Sequence, residues 1–327
     1  MSDAAVLCLG EVLFDCLEVA NEPRQCFLGG APANVACGLV KLGVPTAFLG
    51  AVGDDPLGAQ ATSALGAMGV DVSGMETVAG VPTRQVRVRL NPAGDRQFVG
   101  FAPEDAPVFA DTQFLGSRVR PEQLNATRFL VSGTLGLAAE PTATTLGSLV
   151  AQLAAQGKPI FIDANWRPIF WPDTATALAH IPPFLATAQF LKLAKEEAEL
   201  FFSGSDPQLV YRHLWGEEGD RAVVITDGGD PIHYCWHGHC GTIIPPAMPV
   251  VDTTGAGDGF VAGWLYQLVN ATPADYRQPQ WQQACLEFAA VVGALVTTQK
   301  GAITAQPTLA EVKAWLRDHP QRKIERP

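Results

Sequence analysis

Along most of the chain, short apolar runs alternate with longer stretches whose apolar positions recur at helical spacing. The first run, AVLCLGEV, opens the chain, and others follow at 46–52, 128–133, 159–165, 189–194 and 221–226. Short apolar runs of this kind fit strands buried on both faces. Between them, 33–43, 57–69 and 141–156 carry helical patterns, with Gly43 and Gly69 standing where a helix would stop. The alternation predicts an α/β domain with a central, mostly parallel sheet covered by helices on both faces.

One segment departs from that pattern. Residues 84–101 alternate Val86, Val88 and Leu90 with Arg87 and Arg89, around the turn-forming sequence NPAGD. Period-two alternation predicts a half-exposed antiparallel hairpin. Hung on an α/β body, it reads either as a lid or as a decorative edge. No repeat, low-complexity tract or linker interrupts the chain, so residues 1–327 are expected to form one domain.

Composition narrows the partners. Apolar residues make up 47% and charged residues 17%, which fits a globular chain. The net charge of −11 disfavours nucleic acid and anionic membrane surfaces as partners. No apolar run reaches the roughly 18 residues needed for a membrane span. The N-terminus carries early acids and no basic segment, so it does not read as a signal peptide, and a cytoplasmic setting is expected. Seven scattered cysteines in such a setting are expected to be reduced. The sequence YCWHGHCG brings Cys235, His237, His239 and Cys240 close along the chain, but its spacing does not fit zinc. Strand alternation would put Cys235, His237 and His239 on one face and Cys240 on the other.

The chemistry concentrates in residues 252–264, DTTGAGDGFVAGW. Apolar residues at 260, 261, 264, 265 and 268 predict a helix over about 256–270. Gly255, Ala256 and Gly257 then lie at its start, where backbone N–H groups lack partners and the helix dipole is positive. Glycines let an anion approach that backbone, which suits a phosphate. Asp258 falls in the first turn. It reads either as an acid favoured by the dipole or as a general base beside a phosphoryl site. A Walker A sequence is absent, and GAGDGF does not match the dinucleotide fingerprint. A second glycine motif, FLGGAPANVACGLVKLG, sets Gly29 and Gly30 before a small-residue helix with Asn34 in its first turn. Its amide offers both a donor and an acceptor, as a sugar hydroxyl requires.

Together GGAPANVA and DTTGAGDGFVAGW resemble the two signature regions of the ribokinase, or PfkB, family of sugar kinases. GEVLFD and DANWRP are most similar to its bacterial and plant fructokinases. The resemblance implies a ribokinase-like three-layer α/β/α domain with a small β-sheet lid, formed by segments near 12–30 and 80–110. It implies an ATP-dependent kinase that phosphorylates a primary sugar hydroxyl, with D-fructose as the first candidate. Asp258 would be the base, and Gly255, Ala256 and Gly257 the anion hole. Asp15, expected at the end of the first strand, would hold the sugar with Gly29, Gly30 and Asn34. Asn165 and Arg167 of DANWRP are further candidates for that role. Thr226 and Gly228 would meet the nucleotide, with Lys192 beside it. Glu197 would serve magnesium, although Ala194 stands where the family motif has asparagine. Asp252 and Thr254 are candidates for a monovalent cation such as K+. A homodimer through the lid is a further expectation. 2-Keto-3-deoxygluconate, ribose and nucleosides remain alternative acceptors, with Arg87, Arg89 or Arg96 as cations for an acidic one. An inactive kinase fold that binds a partner is the alternative of another class.

Overall fold

The first apolar run forms strand β1 (Val6–Leu9), every residue of which is buried. The chain then leaves the body to make β2 (Leu13–Glu18) and β3 (Gln25–Gly29), and returns as helix α1 (Ala31–Lys41). The structure is a computed structural model that describes residues 4–18, 24–90, 96–217 and 219–320. The run at 46–52 is two strands, β4 (Thr46–Leu49) and β5 (Ala51–Gly53). They part at Gly50, where a Cβ would lie 2.3 Å from the Gly10 carbonyl oxygen. Helix α2 (Pro56–Ala67) and β6 (Glu76–Val78) follow. The expected hairpin is β7 (Gln85–Leu90) paired antiparallel with β8 (Arg96–Ala102), while its NPAGD turn lies outside the described residues.

From there strands and helices alternate: α3 (Pro121–Ala126), β9 (Phe129–Ser132), α4 (Thr142–Ala155), β10 (Ile160–Asp163), α5 (Thr174–Leu185) and β11 (Phe190–Ala194). Next come α6 (Lys195–Phe202), α7 (Pro207–Trp215), β12 (Ala222–Thr226), β13 (Ile232–Trp236) and β14 (His239–Ile243). The chain closes with α8 (Ala256–Val269), α9 (Pro279–Val296) and α10 (Leu309–Asp318).

Among the described residues the larger sheet runs β14-β13-β12-β11-β10-β9-β1-β4. It is parallel from β4 to β12 and antiparallel at β13 and β14. Because side chains alternate along a strand, Phe161, Phe190 and Val224 enter one core while Ile162, Leu191 and Val223 enter the other. Helices thus cover both faces. A separate sheet of order β3-β2-β7-β8 stands off the body. No helix among the described residues is long and apolar enough to cross a membrane.

Helix α8 is buried along most of its length. Trp264 packs edge-on to Phe161 and Phe190, with ring centres 4.9 and 5.9 Å away. A Cβ on Gly263 would lie 2.9 Å from Ala289 Cα, and one on Gly259 would lie 2.6 Å from Val296 Cγ2. The two glycines, one turn apart, let α9 approach the α8 backbone. The apolar end of the motif therefore anchors the helix whose first turn carries Asp258.

Candidate active site

Gly255 is the N-cap of α8 and is left-handed, with φ 80°. A Cβ there would also lie 2.8 Å from Ala302 Cα, so glycine is required twice over. The turn before it is tied by Asp252. Its Oδ1 accepts the Thr254 N–H at 3.0 Å and the Thr254 hydroxyl at 2.7 Å, and its Oδ2 accepts the Gly301 N–H at 3.2 Å. Ala256 and Gly257 then enter the helix, the Ala256 N–H donating to the Thr253 carbonyl at 3.2 Å.

Asp258 is buried at this helix start, and its Oδ2 accepts the Asn34 side-chain N–H at 2.7 Å. Burial, reinforced by Asp163, pushes its carboxyl up to about 6, against the Asn34 hydrogen bond and the positive charges of Lys192 and Arg167. The helix start therefore favours the same negative charge that burial opposes.

The neighbouring charges come from the carboxyl ends of β10 and β11. Register sets Asp163 directly beside Lys192, and the Lys192 ammonium donates to both Asp163 oxygens at 3.0 and 3.2 Å. Both side chains are buried. Burial opposes the Lys192 charge, but Asp163, Glu197 and Asp258 outweigh it and push the ammonium up. A Cβ on Gly257 would lie 3.1 Å from Lys192 Nζ, so the ammonium borders the glycine turn. Glu197 accepts the N–H groups of Trp166 at 2.6 Å and Ala194 at 2.7 Å, pinning the start of α6 to the loop after β10. Burial raises its carboxyl, against Lys192. In that loop Asn165 takes a left-handed φ of 39°, and Arg167 is exposed, contributing charge toward Asp258 from outside.

Asp15 does not end the first strand. It lies within β2 of the small sheet, opposite Phe27 on β3 and Val86 on β7. The link after β1 is short and turns into that sheet, which displaces Asp15 from the body. A Cβ on Gly29 would sit 2.9 Å from Asp15 Oδ2. Gly30 is the N-cap of α1 with φ 107°, and Asn34 lies in the first turn. The residues expected to hold a sugar thus come from β2, the β3–α1 junction and α1, converging on Asp258 through Asn34. Arg87 and Arg89 pair with Glu18, at 2.6 and 3.3 Å. Arg87 stands opposite Cys16 on β2, the face turned away from Asp15 and Val86. Arg87 and Arg89 are therefore not placed to meet an acidic sugar beside Asp15, while the Arg96 side chain lies outside the described ones.

Thr226 ends β12 beside Ala194, its hydroxyl donating to the Leu193 carbonyl at 3.3 Å, and Gly228 follows with φ 54°. A hollow of about 450 Å³ opens nearby, lined by Lys195, Asp206, Asp227 and His233 among others, and none of its lining residues surrounds Asp258.

The cysteines depart from expectation. Cys16 and Cys26 form a disulfide across β2 and β3, because antiparallel register sets them face to face. Cys235 and Cys240 are likewise cross-strand partners, with sulfurs 2.6 Å apart, not on opposite faces. His237 lies in the turn with φ 49°, which breaks the alternation assumed for that stretch. No group of three or more His, Cys, Asp or Glu placed to hold a metal occurs among the described residues.

Two features of the site were not anticipated. The Asp163–Lys192 pair required the β10–β11 register. Glu11, buried with its carboxyl pushed up to about 8 by burial, accepts the Ala31 N–H at 2.9 Å. Its one sequence signal was an acid inside an apolar run.

Comparison with known proteins agrees with this architecture. Residues 3–309 match the pfkB family carbohydrate kinase family. The fructokinase of Salmonella typhimurium is 33% identical over 307 residues, covering 93% of this chain and 97% of that protein. The structure of a fructokinase with bound ATP from Xylella fastidiosa superposes with a TM-score of 0.89 at 27% identity, covering 96% of this chain and 98% of that one. A fructokinase double mutant from Vibrio cholerae O395, in fructose, ADP and potassium ion bound form, gives 0.81 at 27% identity, covering 97% and 100%. The chain belongs to the pfkB family of carbohydrate kinases and is a sugar kinase.

Proposed function

We propose that the protein is an ATP-dependent fructokinase that converts D-fructose to fructose 6-phosphate. The observation that carries this reading is Asp258, buried at the start of α8 and held by Asn34. The carboxylate takes the proton of the primary hydroxyl as that oxygen bonds to the γ-phosphorus of ATP. The bond to the β-phosphate oxygen breaks, and ADP leaves. A carboxyl near 6 suits a base working near neutrality. The N–H groups of the Gly255–Gly257 turn and the Lys192 ammonium face the charge that develops on the transferred group.

Asp15, Gly29, Gly30 and Asn34 hold the sugar in this reading, with Asn165 and Arg167 flanking it. Thr226, Gly228 and Lys192 serve the nucleotide. Glu197 fits a hard cation such as magnesium, since each of its oxygens keeps a lone pair beyond one backbone bond. Magnesium bound with ATP would neutralise phosphate charge. A monovalent cation beside Asp252 and Thr254 is supported by the potassium in the Vibrio cholerae structure. The sheet of β2, β3, β7 and β8 serves as the lid. Its Asp15 face carries Phe27, 49% exposed, which a lid-to-lid homodimer would cover. Sedimentation at several concentrations tests the dimer.

Fructose is favoured over an acidic sugar by the pairing of Arg87 and Arg89 with Glu18. Turnover with Mg-ATP on fructose, glucose, ribose and 2-keto-3-deoxygluconate tests the assignment. Fructose should give the highest kcat/KM. A higher value for any of the others overturns the substrate, and no turnover on any sugar overturns the activity.

A further inference from the structure

The first turn of α1 has no cap of its own, since Gly30 stands at the N-cap without a side chain. The acceptor comes from elsewhere. Glu11, in the link between β1 and β2, takes the Ala31 N–H on Oε1 at 2.9 Å. The same link presses on the turn from behind. A Cβ on Gly30 would lie 2.5 Å from the Glu11 carbonyl oxygen and 3.1 Å from Val12 Cα. Backbone and side chain of one residue thus grip one helical turn. Within that turn the Asn34 N–H closes onto the Gly30 carbonyl at 2.9 Å, and its side-chain amide reaches Asp258.

Glu11 is 4% exposed, and its Oε2 has no hydrogen-bond partner among the described residues. An unpaired buried oxygen is destabilising, a cost that an apolar side chain of similar length would avoid. Burial, with Asp111 and Asp258 adding to it, favours the neutral acid, against the backbone hydrogen bonds of Glu11 and Ala31. A neutral acid in this place is an uncharged acceptor for the Ala31 N–H.

We propose that Glu11 is a positioning residue for phosphoryl transfer: its Oε1 fixes the first turn of α1, and that turn sets the Asn34 amide on Asp258. The kinetic consequence rests on the sugar-kinase reading of the site, while the helix-capping part stands independently of it.

Two near-isosteric variants separate this role from packing. Glu11→Met keeps the volume and loses the acceptor, whereas Glu11→Gln keeps an acceptor oxygen without an acidic group. E11M should lower kcat/KM for fructose by about tenfold or more, with KM for ATP unchanged, and E11Q should recover most of that loss. Amide hydrogen exchange in the unaltered protein reads the bond directly, and Ala31 should exchange slowly. Three results would overturn the proposal. These are wild-type kinetics in E11M, a loss in E11Q equal to that in E11M, or an Ala31 amide that exchanges like an unbonded one. An unaltered protein that phosphorylates no sugar would instead overturn the activity, leaving the Ala31 measurement to decide the capping role.

Discussion

The side-chain amide of Asn34 lies 2.7 Å from Asp258 Oδ2, joining residues 224 positions apart in sequence. The bond ties the first turn of α1 to the first turn of α8. It favours the charged carboxyl in a place where burial opposes it. The two glycine motifs are therefore halves of one device.

Asp258 must be ionised to act as a base, and its pKa is raised to about 6. kcat/KM should therefore fall as pH drops through about 6. Asn34→Ala removes a bond that favours the charged form, so the acid limb should move to higher pH. A limb unchanged in N34A, whatever the loss in absolute rate, would show that the bond does not tune the base.

Lys192 and Asp163 are a buried ion pair, so removing one partner strands the other. Lys192→Met should cost about 3–5 kcal/mol in urea unfolding, and adding Asp163→Asn should return part of it. A double variant whose loss equals the sum of the losses in Lys192→Met and Asp163→Asn alone would mean that the pair is not coupled.

Gly255 and Gly257 should fail differently. Gly255→Ala forces an L residue to φ 80° and onto Ala302, so it should cost more than about 1 kcal/mol of stability. At Gly257 the nearest atom to a new methyl is the flexible end of Lys192. Gly257→Ala should leave stability within about 0.5 kcal/mol while lowering kcat, because the methyl and the displaced ammonium intrude on the anion site. Thermal unfolding together with steady-state kinetics on both variants checks the split, and a G257A protein as active as the parent would argue against an anion site at this turn.

Much of this site was legible because its signals are local. The glycines before a buried helix, the acid in the first turn and the diglycine before α1 each state a backbone requirement within a few residues. The alternation of apolar runs predicted the parallel sheet for the same reason. What required the structure was register. Nothing in LGEVLFD marks where β1 ends and the small sheet begins, so the sequence alone puts Asp15 at the end of the first strand. The Lys192–Asp163 pair and the Cys16–Cys26 disulfide both arise from which residues face each other across two strands, a relation that periodicity cannot fix. Alternation separates Cys240 from Cys235, but it does not run through His237, which sits in a turn and lets the two cysteines pair across β13 and β14.

The disulfide has a direct chemical check. Of the seven cysteines, five are free in this structure. Thiol titration of denatured, unreduced protein should find five, and seven after reduction. Seven before reduction would mean that Cys16 and Cys26 are thiols in the purified protein.

The most direct test is the turnover of Asp258→Asn on fructose with saturating Mg-ATP. The asparagine is nearly isosteric and can accept no proton, so kcat should fall by about 10²–10⁴ while ATP binding by calorimetry stays near that of the parent. A variant that turns over fructose within about threefold of the parent would contradict Asp258 as the base.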